Sequence, residues 1–206
     1  IYYLELDGNT AYERGFQHGT ALKFVIKRSL KNFENWIEEN TTIKVPEEAI
    51  SDFATGKGYI QSVKDQLPEL FNEFQGIVDG AQVDFDKLFT YQSFDEFDSY
   101  LVAGNHFKKN EGHCTTTGVF GRENQANFLT HNNDLPSYHE DAVTVLKIKN
   151  ANTDLVILQQ TFAGQIGQNG VNNYGVAVGI NTIIDMPVSN KGIPVSFNVR
   201  KILESK

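Results

Sequence analysis

An α+β fold is predicted by the way hydrophobic periodicity changes along the chain. Apolar residues recur at helical spacing through roughly the first hundred positions and then alternate with period two, the pattern of half-buried strands. The change coincides with Cys114, the single cysteine. With 206 residues the chain is long enough for one compact unit that buries on the order of 70% of its unfolded surface. Residues 1–113 therefore read as a helical segment and 114–206 as a β-rich segment, both parts of one fold.

Ile1 to Leu6 alternates weakly, like a short strand. From Thr10 a long helical pattern runs through Tyr12, Phe16, Leu22, Val25, Ile26, Leu30, Phe33 and Ile37, and so long a helix needs a packing partner. Pro46-Glu47-Glu48 opens a second helix, Ala49 to Asp65, weakened in its middle by Gly56 and Gly58. Pro68 starts a third, whose stripe of Leu70, Phe71, Phe74, Ile77 and Val78 stops at Gly80. Asp84 is placed to cap a fourth that continues towards Tyr100. Gly104 to Gly112 reads as a polar loop. Beyond it, Cys114 opens the first strand of a hairpin that turns at Gly121-Arg122-Glu123-Asn124 and returns through Phe128-Leu129-Thr130. Ala142 to Ile148 and Leu155 to Gln160 read as strands around an Asn150-Ala151-Asn152 turn. Gly164 to Gly170 is glycine-rich, Asn172-Asn173-Tyr174-Gly175 is a turn, and Val176 to Ile180 is expected as a buried strand presenting Asn181. Pro194 to Lys206 reads as a helix.

Composition narrows the function classes. A formal charge of −8 leaves no basic stripe to neutralise phosphates, so no nucleic-acid partner is expected. No run reaches the roughly 18 apolar residues of a membrane span, and no signal peptide is visible. The chain begins at Ile1 rather than Met, compatible with removal of something upstream, so the compartment stays open. One thiol excludes an internal disulfide and a multi-thiolate zinc site. His106, His113, His131 and His139 lack zinc-ligand spacing, Thr55-Gly56-Lys57-Gly58 lacks the full phosphate-loop pattern, and no metal or cofactor is expected. His18 reads as a core or helix-packing residue, and Asp95, Glu96 and Asp98 as a charged helix face.

Burial is the ordinary fate of a lone cysteine, but the surroundings of Cys114 favour reactivity. A thiol at the head of a strand can act as an N-terminal nucleophile if the preceding peptide bond is cleaved, because thiol and free α-amine then share one residue. An unperturbed α-amine titrates near 7.7–8.0 and a thiol near 8.5, roughly, so the amine can accept the thiol proton near neutrality. Asp134, in Asn132-Asn133-Asp134, is the candidate to orient that amine, its alternative being ordinary turn chemistry. Asn181 is the candidate donor to a tetrahedral oxyanion, where one donor contributes about 3 kcal/mol.

At these residues the chain resembles the acyl-CoA:6-aminopenicillanic acid acyltransferase family, self-processing N-terminal-nucleophile amidases and acyltransferases. The likeness is carried by Tyr12-Glu13-Arg14-Gly15-Phe16-Gln17-His18-Gly19, by Glu73-Phe74-Gln75-Gly76-Ile77-Val78-Asp79-Gly80-Ala81, by Cys114-Thr115-Thr116, and by Thr161 to Gly167 continuing through Gly170 to Val176 and Asn181. The resemblance implies an αββα sandwich and autocatalytic cleavage between His113 and Cys114. It further implies an α chain or prosegment over 1–113 that stays associated with a β chain from Cys114. Cys114 would be nucleophile, Asp134 the orienter of its amine and Asn181 the oxyanion-side asparagine, with Thr115, Thr116, Asn133, Phe162, Ala163 and Gly164 as candidates for substrate contact. Members of the family are usually longer, so the chain is expected to stop before further sheet strands, a second asparagine and a basic residue of the site. His113 stands where glycine is common, and Phe94 where arginine is frequent.

The expected activity is thiolate attack on a linear amide or acyl thioester, a thioester acyl-enzyme, and transfer of the acyl group to water or an amine. The alternative is an unprocessed or truncated non-catalytic relative acting as a binding or structural module. A third reading, a papain-type pair with His131 or His139 as base, needs no cleavage before Cys114.

Overall fold

The computed structural model describes residues 1–106, 114–122, 126–182, 189 and 191–206. Strand β1 (Tyr2–Leu6) is followed by helix α1 (Ala11–Ala21). A capping box fixes its start: Thr10 Oγ1 accepts from the Glu13 N–H, and Glu13 Oε2 accepts from the Thr10 N–H, each at 3.1 Å. The single long helix expected from Thr10 is instead two, because Leu22 (φ −108°, ψ 16°) kinks the chain before α2 (Lys23–Asn40). The kink leaves α1 lying along a later helix while α2 turns Ile26, Leu30, Phe33 and Ile37 into the core.

Two more expected helices also divide. Gly58, at φ 71°, separates α3 (Pro46–Gly56) from α4 (Tyr59–Gln66), a left-handed conformation that glycine tolerates. Helix α5 (Pro68–Ala81) runs close to its expected length. Helix α6 (Phe85–Gln92) starts where Asp84 Oδ1 accepts from the Lys87 N–H at 2.9 Å, and buried Ser93 (φ −95°, ψ 41°) separates it from α7 (Phe94–Ala103).

The hairpin is present as β2 (Thr115–Val119) and β3 (Phe128–Asn132), antiparallel from Thr115 opposite Asn132 to Val119 opposite Phe128. After a 3₁₀ turn at Ser137–His139 come β4 (Val143–Lys149), β5 (Val156–Phe162), β6 (Asn169–Asn172), β7 (Ala177–Val178) and α8 (Val195–Leu203). These strands and β1 form a second sheet in the order β1-β4-β5-β6-β7, with β1 parallel to β4 and the other pairs antiparallel. The first strand of the chain thus closes a sheet made otherwise from its second half. The buried strand expected over 176–180 is corrected to a two-residue edge, since β7 pairs only with β6 and is partly exposed. Among the described residues the fold is mixed α+β, and no helix is long and apolar enough to cross a membrane.

Two clusters fill the interior. Aromatic side chains from α2, α3, α5, α6, α7 and α8 meet Tyr138 in the larger, where Phe33 packs edge-on against Tyr91, Phe97 and Tyr138. Leu6, Leu146, Ile148, Ile157, Val199 and Leu203 form the smaller between sheet and α8. Helices α1 and α5 touch backbone to backbone. A Cβ on Gly15 would lie 1.8 Å from the Glu73 carbonyl oxygen, one on Gly19 2.2 Å from that of Ile77, and one on Gly76 2.2 Å from that of Tyr12. The glycines of the two helical motifs are therefore a packing device. Gly167 does the same for α8, 2.1 Å from the Ser196 carbonyl oxygen by the same measure.

Candidate active site

The site is organised by hairpin register. Cys114 immediately precedes β2 and its thiol is free and half-buried. One step beyond the Thr115–Asn132 pair, the register sets Asn133 across from Cys114. Asp134 lies two residues beyond the end of β3, and His113, with the bond expected to be cleaved, lies outside the described residues. Alternation puts Thr116, His131 and Asn133 on the face to which Cys114 belongs, and Thr115 on the other.

Asn181 comes to this face from beyond β7. Its Nδ2 donates to the Cys114 carbonyl oxygen at 2.6 Å, and its Oδ1 accepts from the Thr116 hydroxyl. Gly179 packs against the same pair, since a Cβ there would lie at contact distance, 3.4 Å, from both Thr116 and His131. The Ile180 N–H donates to Asn169 Oδ1 (3.1 Å), anchoring the same segment to β6. His131 continues the network, with Nδ1 2.7 Å from Thr116 Oγ1 and Nε2 2.5 Å from Asn133 Oδ1. Asn133 Nδ2 then donates to Gln160 Oε1 at 3.3 Å. A connected polar chain thus runs from the Cys114 carbonyl to the start of β6.

The remaining candidates are placed differently. Asp134 is exposed and has no hydrogen bond or ion pair among the described residues. Thr115 is exposed. Phe162, Ala163 and Gly164 are buried: the Phe162 ring packs 4.3 Å from that of His139, and the Gly164 N–H donates to His18 Nε2 at 3.1 Å. That bond needs a neutral imidazole, and burial, with Arg200 nearby, pushes the His18 pKa down to about 4. His139 is likewise a core histidine. It bonds Tyr91 Oη at 3.3 Å, and burial lowers its pKa to about 3, so it is not available to take a thiol proton near neutrality.

Asp95, Glu96 and Asp98 lie together on one helix, as the reading of a charged helix face expects. They are half-buried on α7. Asp95 Oδ1 accepts from Thr182, next to Asn181, at 2.6 Å, and Glu96 Oε1 accepts from the Val195 N–H at 2.9 Å. Burial, followed by the neighbouring Asp95 charge, pushes both Glu96 and Asp98 up to about 7. Among the described residues no group of three or more His, Cys, Asp or Glu side chains could hold a metal ion.

Residues 121–206 match the family model described as acyl-coenzyme A:6-aminopenicillanic acid acyl-transferase. Over that stretch the chain is similar to this acyl-transferase family. The match takes in His131, Asn133, Asp134, Gln160, Asn169 and Asn181 but starts after Cys114. For the acyl-transferase family it points to an enzyme acting on a small-molecule acyl substrate. Asn181, Thr116 and Asn133 were named from sequence, Gln160 and Asn169 were missed, and His131 was weighed as a metal ligand or a base but not as part of a hydrogen-bond network. The available signal was the period-two alternation that makes Thr116, His131 and Asn133 neighbours once a hairpin is assumed.

Proposed function

We propose that the chain is a self-processing N-terminal-nucleophile enzyme that cleaves a linear amide or acyl thioester, or transfers its acyl group, through Cys114. In this reading 1–113 is the α chain or prosegment, which remains associated with the β chain, and the complete fold is an αββα sandwich. Activation begins with attack of the Cys114 thiol on the His113 carbonyl carbon. The C–S bond forms and the peptide C–N bond breaks, and the nitrogen, keeping its own hydrogen, takes up the thiol's proton to become the free α-amine. Water then hydrolyses the thioester, leaving a His113 carboxylate and the Cys114 thiol.

In turnover the α-amine takes the thiol proton, and the thiolate attacks the substrate carbonyl. Asn181 Nδ2 carries two hydrogens: one reaches the Cys114 carbonyl oxygen, and the other is offered to the oxyanion. Collapse breaks the C–N or C–S bond of the substrate, and the leaving group departs with the proton held by the amine. Water or an acceptor amine then attacks the acyl-enzyme thioester, giving its proton back through the α-amine, and the thiol is restored. Asp134, just beyond β3, orients the ammonium, with Thr116 and Asn133 beside the acyl group and Thr115, on the other face of the hairpin, kept as a further candidate for substrate contact. Phe162, Ala163 and Gly164, the other candidates for substrate contact, are buried in the core.

The observation that carries this reading is the 2.6 Å bond from Asn181 to the Cys114 carbonyl, an amide donor brought to the thiol-bearing residue from far along the chain. Intact mass spectrometry tests it. The wild-type chain is expected to give two fragments divided between His113 and Cys114, and Cys114→Ala to remain whole; a wild type that stays whole sinks the self-processing enzyme and favours a binding module.

A further inference from the structure

We infer that His131 is a positioning residue for Asn181, acting through the Thr116 hydroxyl, and that the bond directions around it call for hydrogen on both imidazole nitrogens, the one on Nδ1 holding Asn181. This rests on the role proposed above for Asn181, but its structural basis is the direction of each hydrogen bond. Asn181 is oriented by a backbone group: its Nδ2 faces the Cys114 carbonyl oxygen, so its Oδ1 has to accept from Thr116. Thr116 has one hydroxyl hydrogen. Having given it to Asn181, its oxygen can only accept from His131 Nδ1, 2.7 Å away.

The other end is fixed just as firmly. The Ile180 N–H donates to Asn169 Oδ1, so Asn169 turns its Nδ2 towards Gln160 Oε1 (3.0 Å) and Asn133 Oδ1 (3.5 Å). Gln160 Nε2 faces the Thr161 carbonyl oxygen at 3.3 Å. A flipped Asn133 would put its amino group against that of Asn169, so its Oδ1 stays turned to His131 Nε2, which must donate as well. Both ring nitrogens therefore carry hydrogen. Backbone groups at Cys114, Thr161 and Ile180 set the direction, and the imidazole is the one member able to supply a proton both ways.

Loss of a proton leaves the network one hydrogen short. If Nδ1 is bare, the Thr116 hydroxyl turns to it and releases Asn181 Oδ1, and the Asn181 amide loses one of the two bonds that hold its plane. The strands and segments against His131 leave the charge without a competing cation: 115–119 and 177–182 have no ionisable side chain, and Gln160 and Asn169 are neutral. The ionisable neighbours at the strand ends are the Cys114 thiol and the Asp134 carboxylate.

Nitrogen-15 spectra of the imidazoles and of the Asn181 side-chain amide test the inference, in a Cys114→Ala background so that the chain has one covalent form whether or not the wild type self-processes. They would be followed from about pH 5 to 8, the range over which histidine changes charge. The expected result is two protonated His131 nitrogens at the acidic end, with the Asn181 amide signals shifting at the same midpoint as the ring. Thr116→Val should uncouple them, His131 still titrating and Asn181 no longer following. A singly protonated His131 throughout, or an Asn181 amide indifferent to it, overturns the inference. In a chain that processes, His131→Gln should slow the reaction roughly 10- to 100-fold. Coupled spectra with no processing would remove the proposed activity and leave the positioning network standing.

Discussion

Glu73 lies 3.1 Å from Arg200 and 3.6 Å from Arg14, all three side chains buried, whereas Asn181, Thr116 and His131 bind one another at the accessible face of a hairpin. The first group joins α5, α8 and α1, with Arg14 Nη1 also donating to the Gly8 carbonyl oxygen at 3.1 Å. Burial pushes the Glu73 pKa up, against the pull of the two guanidiniums. The second group joins β2, β3 and the segment after β7 through uncharged amides, a hydroxyl and one imidazole. Both span long stretches of sequence. Removing part of the buried group should unfold the molecule, and removing part of the exposed group should alter its chemistry.

The largest effect expected is at the helix contact beneath the buried group. Gly15→Val places atoms where the Glu73 carbonyl already lies 1.8 Å from an added Cβ, so α1 must leave α5. A loss of more than about 4 kcal/mol is expected in chemical denaturation, or no soluble protein. A variant within about 1 kcal/mol of wild type would mean that the frame yields easily, and would break the contrast at once.

Next is Glu73→Ala, which leaves two buried guanidiniums facing each other. Arg200 retains Glu204 at 3.5 Å, but Arg14 has no other ion pair among the described residues. The expected loss is about 3–5 kcal/mol.

These two positions also show what the sequence could and could not tell. The segments 12–19 and 73–81 stood out as motifs, but their glycine spacing means little until the two helices are known to be partners. Leu22 and Ser93 break helices without glycine or proline, so periodicity carried the expected helices straight through them. The hairpin was legible because strand, turn and strand are neighbours in sequence. Gln160 and Asn169 were not, because their place in the site depends on β5 and β6 meeting the hairpin through Asn133. The half-burial of Asp95 and Asp98 was not legible either, because burial by a distant segment leaves no local trace.

A smaller effect separates the regions by pH. The folded His18 pKa is about 4 against a reference of 6.5, so the unfolded chain binds more protons between those values and His18 destabilises the fold as pH falls through them. The steepest contribution is about 1.4 kcal/mol per pH unit. Glu96 and Asp98 act in the opposite sense. Their folded pKa values are raised to about 7, so stability from them is lost as pH rises from the ordinary carboxylate range towards 7. The wild-type curve is therefore flattened, and a difference curve is needed. His18→Gln keeps an oxygen to accept from the Gly164 N–H and removes the titration; subtracting its stability from that of wild type between about pH 4 and 6.5 should isolate a slope of the stated sign. A flat difference would show that His18 is not held neutral by the core.

The smallest stability effect is expected at Asn181, and there the comparison becomes sharpest. Its side chain is exposed and bonds one carbonyl and one hydroxyl, both of which water can reach when it is gone. Asn181→Ala should therefore stay within about 0.5 kcal/mol of wild type in denaturation. If Asn181 Nδ2 stabilises the tetrahedral oxyanion, the same change slows cleavage at Cys114 by about 100- to 1,000-fold, followed as the decay of intact mass with time. A variant equally stable and equally fast would leave Asn181 a turn residue that closes the sheet edge. One that unfolds would show that the exposed network is part of the frame, and that the two regions differ in burial without differing in purpose.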